Sequence, residues 1–307
     1  MKRCLYLSLL FFVFITVSAS GGNDKQGIIR IKSVKFALPL VEQWISGYAK
    51  VNPDTRIVIA DADAEEVDIQ LLISDVPKDS LQSNHFYSSV GRYAILPIAG
   101  KNNVLLNDLN KKKLNSKRLK ELFFEKDLAD DDYESTKDKY HATVYSGYTS
   151  SSVTHPFAVH FGYEPSNMKG KKISGDDIYL INAIQKDTTG VSFNNLNYIF
   201  DLNSRQLKNE IVILPLDLKK EYSEVLAESN LDKLIGLLED KGIELIPVEE
   251  IGFVSHNQVN PEVKNFLQWV LSEGQAYNHQ FGFLNLDTKT LNHQKEQVET
   301  RLFTYNQ

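Results

Sequence analysis

A strand-helix-strand pattern near the start of the chain most constrains its fold. The segment 28–36 is rich in Ile and Val, and 38–51 then has the spacing of an amphipathic helix. Two more apolar runs of strand length follow at 56–60 and 67–73. A strand that leads through a helix into further strands builds a parallel sheet with helices on its faces. The sequence therefore predicts an α/β fold that begins with a parallel sheet.

Later segments continue the alternation of strands and helices. The segment 91–98 reads as a strand that could cross into a second domain, and 116–124 reads as a helix with Ser116 as its N-cap. A further helix is predicted at 177–186, and the charged stretch 126–139 is predicted to be an exposed loop. A chain of 307 residues usually divides its core, so we expect two domains.

The first twenty residues have the pattern of an export signal. A basic stretch at 1–3 precedes an almost wholly apolar run at 4–17, and small residues follow. As a helix this run would rise only about 21 Å, less than the roughly 30 Å of a hydrocarbon core, so a cleaved signal is favoured over a membrane anchor. We predict a signal peptide at residues 1–20, cleavage after Ala19 or Ser20, and a mature protein in the periplasm.

Charge and cysteine content limit the partners and the compartment. The chain has 40 acidic and 34 basic residues, a net charge of -6, so its surface as a whole repels nucleic acid and anionic lipid. Its one cysteine, Cys4, lies before the apolar run of the signal. The mature protein would then contain no cysteine, which suits an oxidising compartment without a disulfide. We expect no nucleic-acid partner.

No motif for catalysis or metal binding is present in the sequence. It lacks a nucleophile elbow, a Walker loop, a dinucleotide fingerprint and a His-Glu-x-x-His motif. His155 and His160 are five residues apart, which does not make them neighbours on a helix face. A hydrolase using Ser151 or Ser152 would need a base beside the serine, and the sequence does not supply one. We predict no enzyme activity, catalytic residue, metal site or cofactor.

One polar segment has a physical basis for binding anions. Hydroxyl groups stand directly before or inside the start of a helix predicted at 150–161; they belong to Ser146, Thr149, Ser150, Ser151, Ser152 and Thr154. A helix start offers free N–H groups and the positive end of the helix dipole, so together these donors could cradle an oxyanion. The alternative is plain N-capping in a polar loop, which a single serine would explain.

Two further positions could contribute to a ligand crevice. Lys35 and Phe36 lie where the first strand meets the first helix, and ligands of open α/β sheets bind at the carboxyl ends of strands. Lys35 there either meets an anion or is solvated. Asp68 is an acid inside a strand-like run, and it either faces water or accepts hydrogen bonds in the crevice.

Several segments of the chain resemble the periplasmic phosphate-binding proteins of ABC transporters, which have the type II periplasmic binding fold. The most specific match is 263–275 followed by 281–286. The matching segments together cover most of residues 28–286, and the others are 35–40 with Trp44, 67–69, 91–98 with Asn102 and Asn103, 119–124, 146–157 and 190–195.

The resemblance implies an α/β fold with two lobes, each a mixed sheet flanked by helices, and a ligand cleft between them. Residues 21–96 with 251–307 would form lobe 1, and residues 97–250 would form lobe 2. The ligand-binding residues would be Lys35, Phe36, Asp68, Thr149, Ser150, Ser151 and Ser152. In the family, the carboxylate at the place of Asp68 accepts the proton of a protonated phosphate.

The ligand loops also depart from the family pattern. Lys35 replaces a small hydroxyl residue, an acidic run at 61–66 replaces Gly and Ser, and Gly147 stands at about the place of the family's Arg. Lys35 could supply the charge lost with that Arg.

The resulting hypothesis is an exported, monomeric solute-binding protein. It would capture phosphate or a similar oxyanion between its lobes and deliver it to the membrane subunits of an ABC transporter. The alternative is a degenerate binding-protein paralogue that acts as a sensor or protein-interaction module, with a different ligand or none.

Overall fold

The structure is a computed structural model that describes residues 28–73, 84–125 and 140–304. The predicted signal peptide and the predicted loop at 126–139 lie outside these residues. Among the described residues, no helix is long and apolar enough to cross a membrane.

The first part of the chain forms the predicted strand-helix-strand unit. Its elements are β1 (Ile29–Ser33), α1 (Leu38–Val51), β2 (Ile57–Ile59), β3 (Ile69–Ile73) and the long strand β4 (His85–Gly100). A short 3-10 helix, Lys35–Ala37, joins β1 to α1. Helix α1 has the predicted bounds because its apolar face is buried, with Val41, Trp44 and Tyr48 at most 1% exposed.

The middle of the chain begins with shorter elements that alternate in type. They are α2 (Leu106–Lys111), α3 (Ser116–Phe123), β5 (Thr143–Gly147), α4 (Thr154–His160), β6 (Lys171–Ile173), α5 (Ile178–Lys186), β7 (Gly190–Asn195), α6 (Leu196–Ile199), β8 (Phe200–Asp201), β9 (Gln206–Leu207), β10 (Ile211–Ile213), α7 (Lys220–Glu228) and α8 (Leu231–Asp240).

Two sequence predictions about helix starts in this part are wrong. The Asn115 side chain, not that of Ser116, caps α3 by accepting the N–H of Arg118 at 3.0 Å. Helix α4 begins at Thr154, so the three serines at 150–152 precede the helix and lie in a loop.

The last part of the chain returns to the first. It contains β11 (Val248–His256), β12 (Gln258–Val259), α9 (Pro261–Val270), α10 (Thr288–Arg301) and β13 (Phe303–Thr304), with short 3-10 turns between α9 and α10. The indole N–H of Trp44 on α1 donates to the carbonyl of Gly274 at 2.9 Å, which fixes the first of these turns against α1.

Nine strands form one mixed sheet in the order β2-β1-β3-β11-β4-β7-β5-β6, with β10 also on β4. Strand β1 is parallel to β2 and β3, whereas β11 is antiparallel to both β3 and β4. The first half of β4 pairs with β11, and its second half pairs with β7 and β10. The prediction of an α/β fold with a mixed sheet is confirmed, and β4 joins the two halves of the sheet. The residue limits of the lobes stay a prediction.

Candidate functional site

The turn after β1 presents a lysine and a phenylalanine. Lys35 is exposed, while Phe36 is 3% exposed and stacks on Phe283 with 5.8 Å between ring centroids. The carbonyl of Phe36 accepts a hydrogen bond from the side-chain amide of Asn197 on α6. This turn therefore touches the predicted second lobe directly.

The loop between β5 and α4 carries the predicted hydroxyl groups. The Ser152 hydroxyl donates to Asp177 Oδ1 at 2.6 Å, and the N–H of Val153 donates to Asp177 Oδ2 at 2.8 Å. The N–H of Gly147 donates to the hydroxyl oxygen of Thr154 at 2.8 Å. Both oxygens of the Asp177 carboxylate thus accept hydrogen bonds from groups that are predicted, from the sequence, to bind an oxyanion.

These two regions meet at a small cavity of about 100 Å³. Its lining residues are Lys35, Phe36, Thr149, Ser151, Ser152, Gly175, Asp176, Asp177 and Tyr198. A cavity of this size has room for a few water molecules or a solute of similar extent. The structure therefore brings Lys35 and Phe36 together with Thr149, Ser151 and Ser152 around one cavity, and their role in binding a ligand stays a prediction. Ser150 is exposed and does not line the cavity.

Asp68 is placed away from this cavity. It precedes β3, and its carboxylate accepts the backbone N–H of Arg30 at 2.6 Å. Because β1 and β3 are parallel, Asp68 lies at the amino end of these strands, and Lys35 follows their carboxyl end. The hypothesis that Lys35 and Asp68 face one ligand is therefore wrong. The short hydrogen bond to Arg30 explains why an acid is tolerated beside this strand.

Asp177 is the functional candidate that sequence reasoning missed. Its side chain is 6% exposed, and burial raises its pKa to about 6, while the hydrogen bonds from Ser152 and Val153 lower the pKa and the neighbouring Asp176 raises it. The sequence shows this residue as part of an acidic pair after Gly175, and such a pair is common at the start of a helix. Asp177 does precede α5, but its carboxylate binds the loop before α4.

The cavity has more acidic than basic groups. Among the described residues that line it, Lys35 is the basic one, and Asp176 and Asp177 are acidic. Tyr198 completes the wall; burial and a hydrogen bond with Asp176 raise the pKa of its phenol, which stays a donor at neutral pH. The hydroxyls of Thr149 and Ser151 can donate to a solute, whereas the two carboxylates can only accept while ionised.

Gly147 has no room for a side chain. A Cβ at this position would lie 2.0 Å from the Ser152 hydroxyl and 2.7 Å from Asp177 Oδ1. An arginine side chain, which the family pattern has at this position, would therefore collide with the hydrogen-bonded pair of Ser152 and Asp177. No group of three or more His, Cys, Asp or Glu residues suited to a metal ion occurs within the described part of the chain.

Contacts beside the cavity connect the two predicted lobes. The guanidinium of Arg205 donates to the carbonyls of His279 at 2.7 Å and Gln280 at 3.0 Å, and it pairs with Asp232. On α8, Glu239 accepts from the His279 ring at 2.7 Å and from the N–H of Asn285 at 2.5 Å. These polar contacts hold α8 and the turn before β9 against the segment after α9.

Comparisons with known proteins relate this chain by structure and not by sequence. No family model matches it, and a search of curated proteins found no match. A putative phosphate ABC transporter substrate-binding protein from Clostridium perfringens, solved with bound phosphate, is similar with a TM-score of 0.55 and 14% identity, over 85% of this chain and 100% of that one. An ABC-type phosphate transport receptor from Vibrio cholerae gives 0.53 and 10%, over 84% and 100%.

A regulator is similar to about the same extent. A full-length BenM mutant gives a TM-score of 0.50 and 13% identity, over 85% of this chain and 71% of that one. At these identities the likeness shows the fold alone. The chain has a fold of the type II periplasmic-binding-protein kind, which solute-binding proteins and the effector domains of regulators share.

Proposed function

We propose that this chain is an exported, monomeric solute-binding protein, without enzyme activity, that closes two lobes on a small solute and delivers it to the membrane subunits of an ABC transporter. The observation that carries this proposal is the cavity lined from both sides, by Lys35 and Phe36 of one predicted lobe and by the 149–152 loop, the acidic pair and Tyr198 of the other. The similarity to a phosphate-binding protein with its ligand bound supports capture between lobes.

The charges of the cavity favour a ligand other than phosphate. Lys35, Thr149 and Ser151 could donate to an oxyanion, which is the basis of the phosphate hypothesis. Asp177 already engages Ser152 and Val153, and a second carboxylate lies beside it. We therefore retain the capture mechanism and the transporter partner, and we propose a different small solute. The alternative without any ligand, a sensor or interaction module, is an outcome of the test below.

The test is to identify what the protein carries and whether the cavity holds it. The protein is purified from growing cells without added anions, and bound solutes are detected by native mass spectrometry and identified after denaturation. We expect one small solute per chain. A Ser151→Tyr variant, which fills the cavity, should lose the solute, and Ser150→Tyr on the exposed side of the same loop should retain it.

Calorimetry then tests whether the protein binds phosphate, sulfate or molybdate. Micromolar or tighter binding of phosphate by the unmodified chain would restore the phosphate hypothesis. A chain that carries no solute and binds none of these anions would contradict the proposal and favour the sensor or interaction module.

A further inference from the structure

The Asp177 carboxylate occupies the place of a ligand. It accepts from the Ser152 hydroxyl and from the N–H of Val153, at 2.6 and 2.8 Å, and its side chain is nearly inaccessible to solvent. Hydrogen bonds to an ionised group are among the stronger ones in proteins. An incoming oxyanion would have to displace Asp177 from these donors, which would leave a buried carboxylate without partners.

The other donors of the cavity would stabilise an oxyanion only weakly if it entered beside the Asp177 carboxylate. The hydroxyls of Thr149 and Ser151 lie 3.3 Å apart and can bond to each other, and Lys35 is exposed and therefore solvated. Asp176 and Asp177 repel any anion that enters beside them, and the repulsion is stronger in a partly buried cavity than in water. A single solvated lysine does not offset two carboxylates.

We propose, on the basis of the proposed function, that Asp177 is a built-in anion that makes the cavity reject oxyanions and select a small solute bearing an ammonium group. An ammonium has three donors and no acceptor, and each oxygen of the two carboxylates can accept a further hydrogen bond beside those from Ser152, Val153 and Ile178. The aromatic residues Phe36 and Tyr198 form part of the wall and bring no charge that would oppose a cation. The volume of about 100 Å³ has room for an ammonium group and a few further non-hydrogen atoms.

The first experiment compares ethanolamine, as a small ammonium probe, with sulfate by calorimetry at pH 8. The unmodified protein should bind ethanolamine and show no measurable sulfate binding. Asp177→Asn removes the charge at constant size, so it should weaken ethanolamine binding at least tenfold and make sulfate binding measurable. The control is Asp201→Asn, which removes the same charge from a carboxylate that accepts two backbone N–H groups outside the cavity; it should bind as the unmodified protein does.

A second measurement uses the unmodified protein alone and does not depend on the folding of a variant. Sulfate keeps its charge between pH 5 and pH 8, so any change in its binding comes from the protein. Asp177, with Asp176 and Tyr198 on the same side of the cavity and Lys35 on the other, is the group expected to gain a proton in this range. Sulfate binding should appear at pH 5, and ethanolamine binding should weaken.

The proposal is overturned by sulfate binding to the unmodified protein at pH 8 that equals binding to Asp177→Asn. It is also overturned if the solute that the protein carries has no ammonium group, although the proposed function would then still hold. A chain that carries no solute at all would contradict the proposed function. Sulfate binding gained only in Asp177→Asn would, even then, support the role of Asp177 as a built-in anion.

Discussion

At the scale of single residues, Asp177 makes the stability of the fold depend on pH. Its pKa is about 6 in the folded protein and near 3.8 in an unfolded chain, because burial penalises the charged form. The folded state therefore binds the proton more tightly. The contribution to stability is full below the unfolded pKa and is lost as the pH rises through about 6.

We predict that Asp177→Asn removes this dependence. Between pH 4 and pH 7.5, the free energy of unfolding of the unmodified protein should fall by about 2 kcal/mol more than that of the variant, because each pKa unit contributes roughly 1.4 kcal/mol and part of the effect is already lost at pH 4. Urea unfolding at both pH values measures the difference. Equal pH dependence in the two proteins would show that Asp177 ionises as freely in the folded chain as in water.

Gly147 tests the packing of the same loop. We predict that Gly147→Ala lowers the free energy of unfolding by about 1 to 3 kcal/mol, because the added methyl group would displace the Ser152 hydroxyl from Asp177. The control is Gly236→Ala on the exposed side of α8, where a Cβ meets nothing within 4 Å. That control should be neutral or stabilising by up to about 1 kcal/mol. Equal effects would contradict the close packing at Gly147.

The residues of the cavity were predictable only in part. Lys35, Phe36 and the hydroxyls of the 149–152 loop follow from local rules, since strand ends and polar loops are visible in a sequence. Asp177 follows from no local rule, because its partners lie 24 and 25 residues away and meet it only when α5 packs beside the loop. Asp68 was misassigned for the same reason: its partner, the N–H of Arg30, is set by strand register.

At the scale of elements, the carboxylate of Glu239 on α8 accepts hydrogen bonds from the segment after α9. Partial burial would raise the pKa of Glu239, but hydrogen bonds from His279 and from the N–H of Asn285 outweigh it, and the pKa lies below its usual value. The stability that Glu239 contributes is therefore present at neutral pH and is lost as the pH falls towards the acid range.

We predict that Glu239→Gln lowers the free energy of unfolding at pH 7 by about 1 to 2 kcal/mol, because it weakens two hydrogen bonds to a charged acceptor. The loss should shrink at a pH below the usual range of a glutamate, where the unmodified side chain gains a proton because its pKa is lowered. Asp108→Asn, which breaks an exposed pair with Lys111 on α2, should change the free energy by less than about 0.5 kcal/mol. Urea unfolding of the three proteins at both pH values is the measurement.

Elements with a strong apolar face were the predictable ones. Helix α1 has the bounds read from its spacing because its buried face determines where it begins and ends. Helix α4 begins four residues later than predicted, since the serines before it form side-chain hydrogen bonds in a loop. Hydroxyl residues are compatible with both a loop and a helix start, so the sequence alone leaves that boundary open.

At the scale of the whole molecule, Arg205 connects the two predicted lobes by donating to two backbone carbonyls. We predict that Arg205→Ala shifts the protein towards an open form, with a larger radius of gyration in small-angle X-ray scattering. Arg118→Ala removes a guanidinium that binds the carbonyl of Lys113 within one lobe, so it should leave the radius unchanged. The same radius for all three proteins would mean that Arg205 does not hold the lobes together.

The fold class was predictable and the ligand was not. Alternating strands and helices over a chain of this length restrict the architecture strongly. The ligand depends on which charges meet in the cavity, and the residues that meet there come from both lobes. A family resemblance in the loops suggested phosphate, whereas the assembled cavity has an acidic pair that the resemblance did not include.

The return of β11 to β3 and β4 also has a consequence for the order of folding. Trp44 bonds to Gly274 across 230 residues of chain, and β11 lies between β3 and β4 in the sheet. Strands β3 and β4 therefore cannot join into one sheet until the chain through β11 is available. Contacts so distant in sequence slow folding and leave unpaired strand edges exposed. The amino-terminal strands should therefore be the last to gain protection in pulsed hydrogen exchange during refolding, although they are the first to be synthesised.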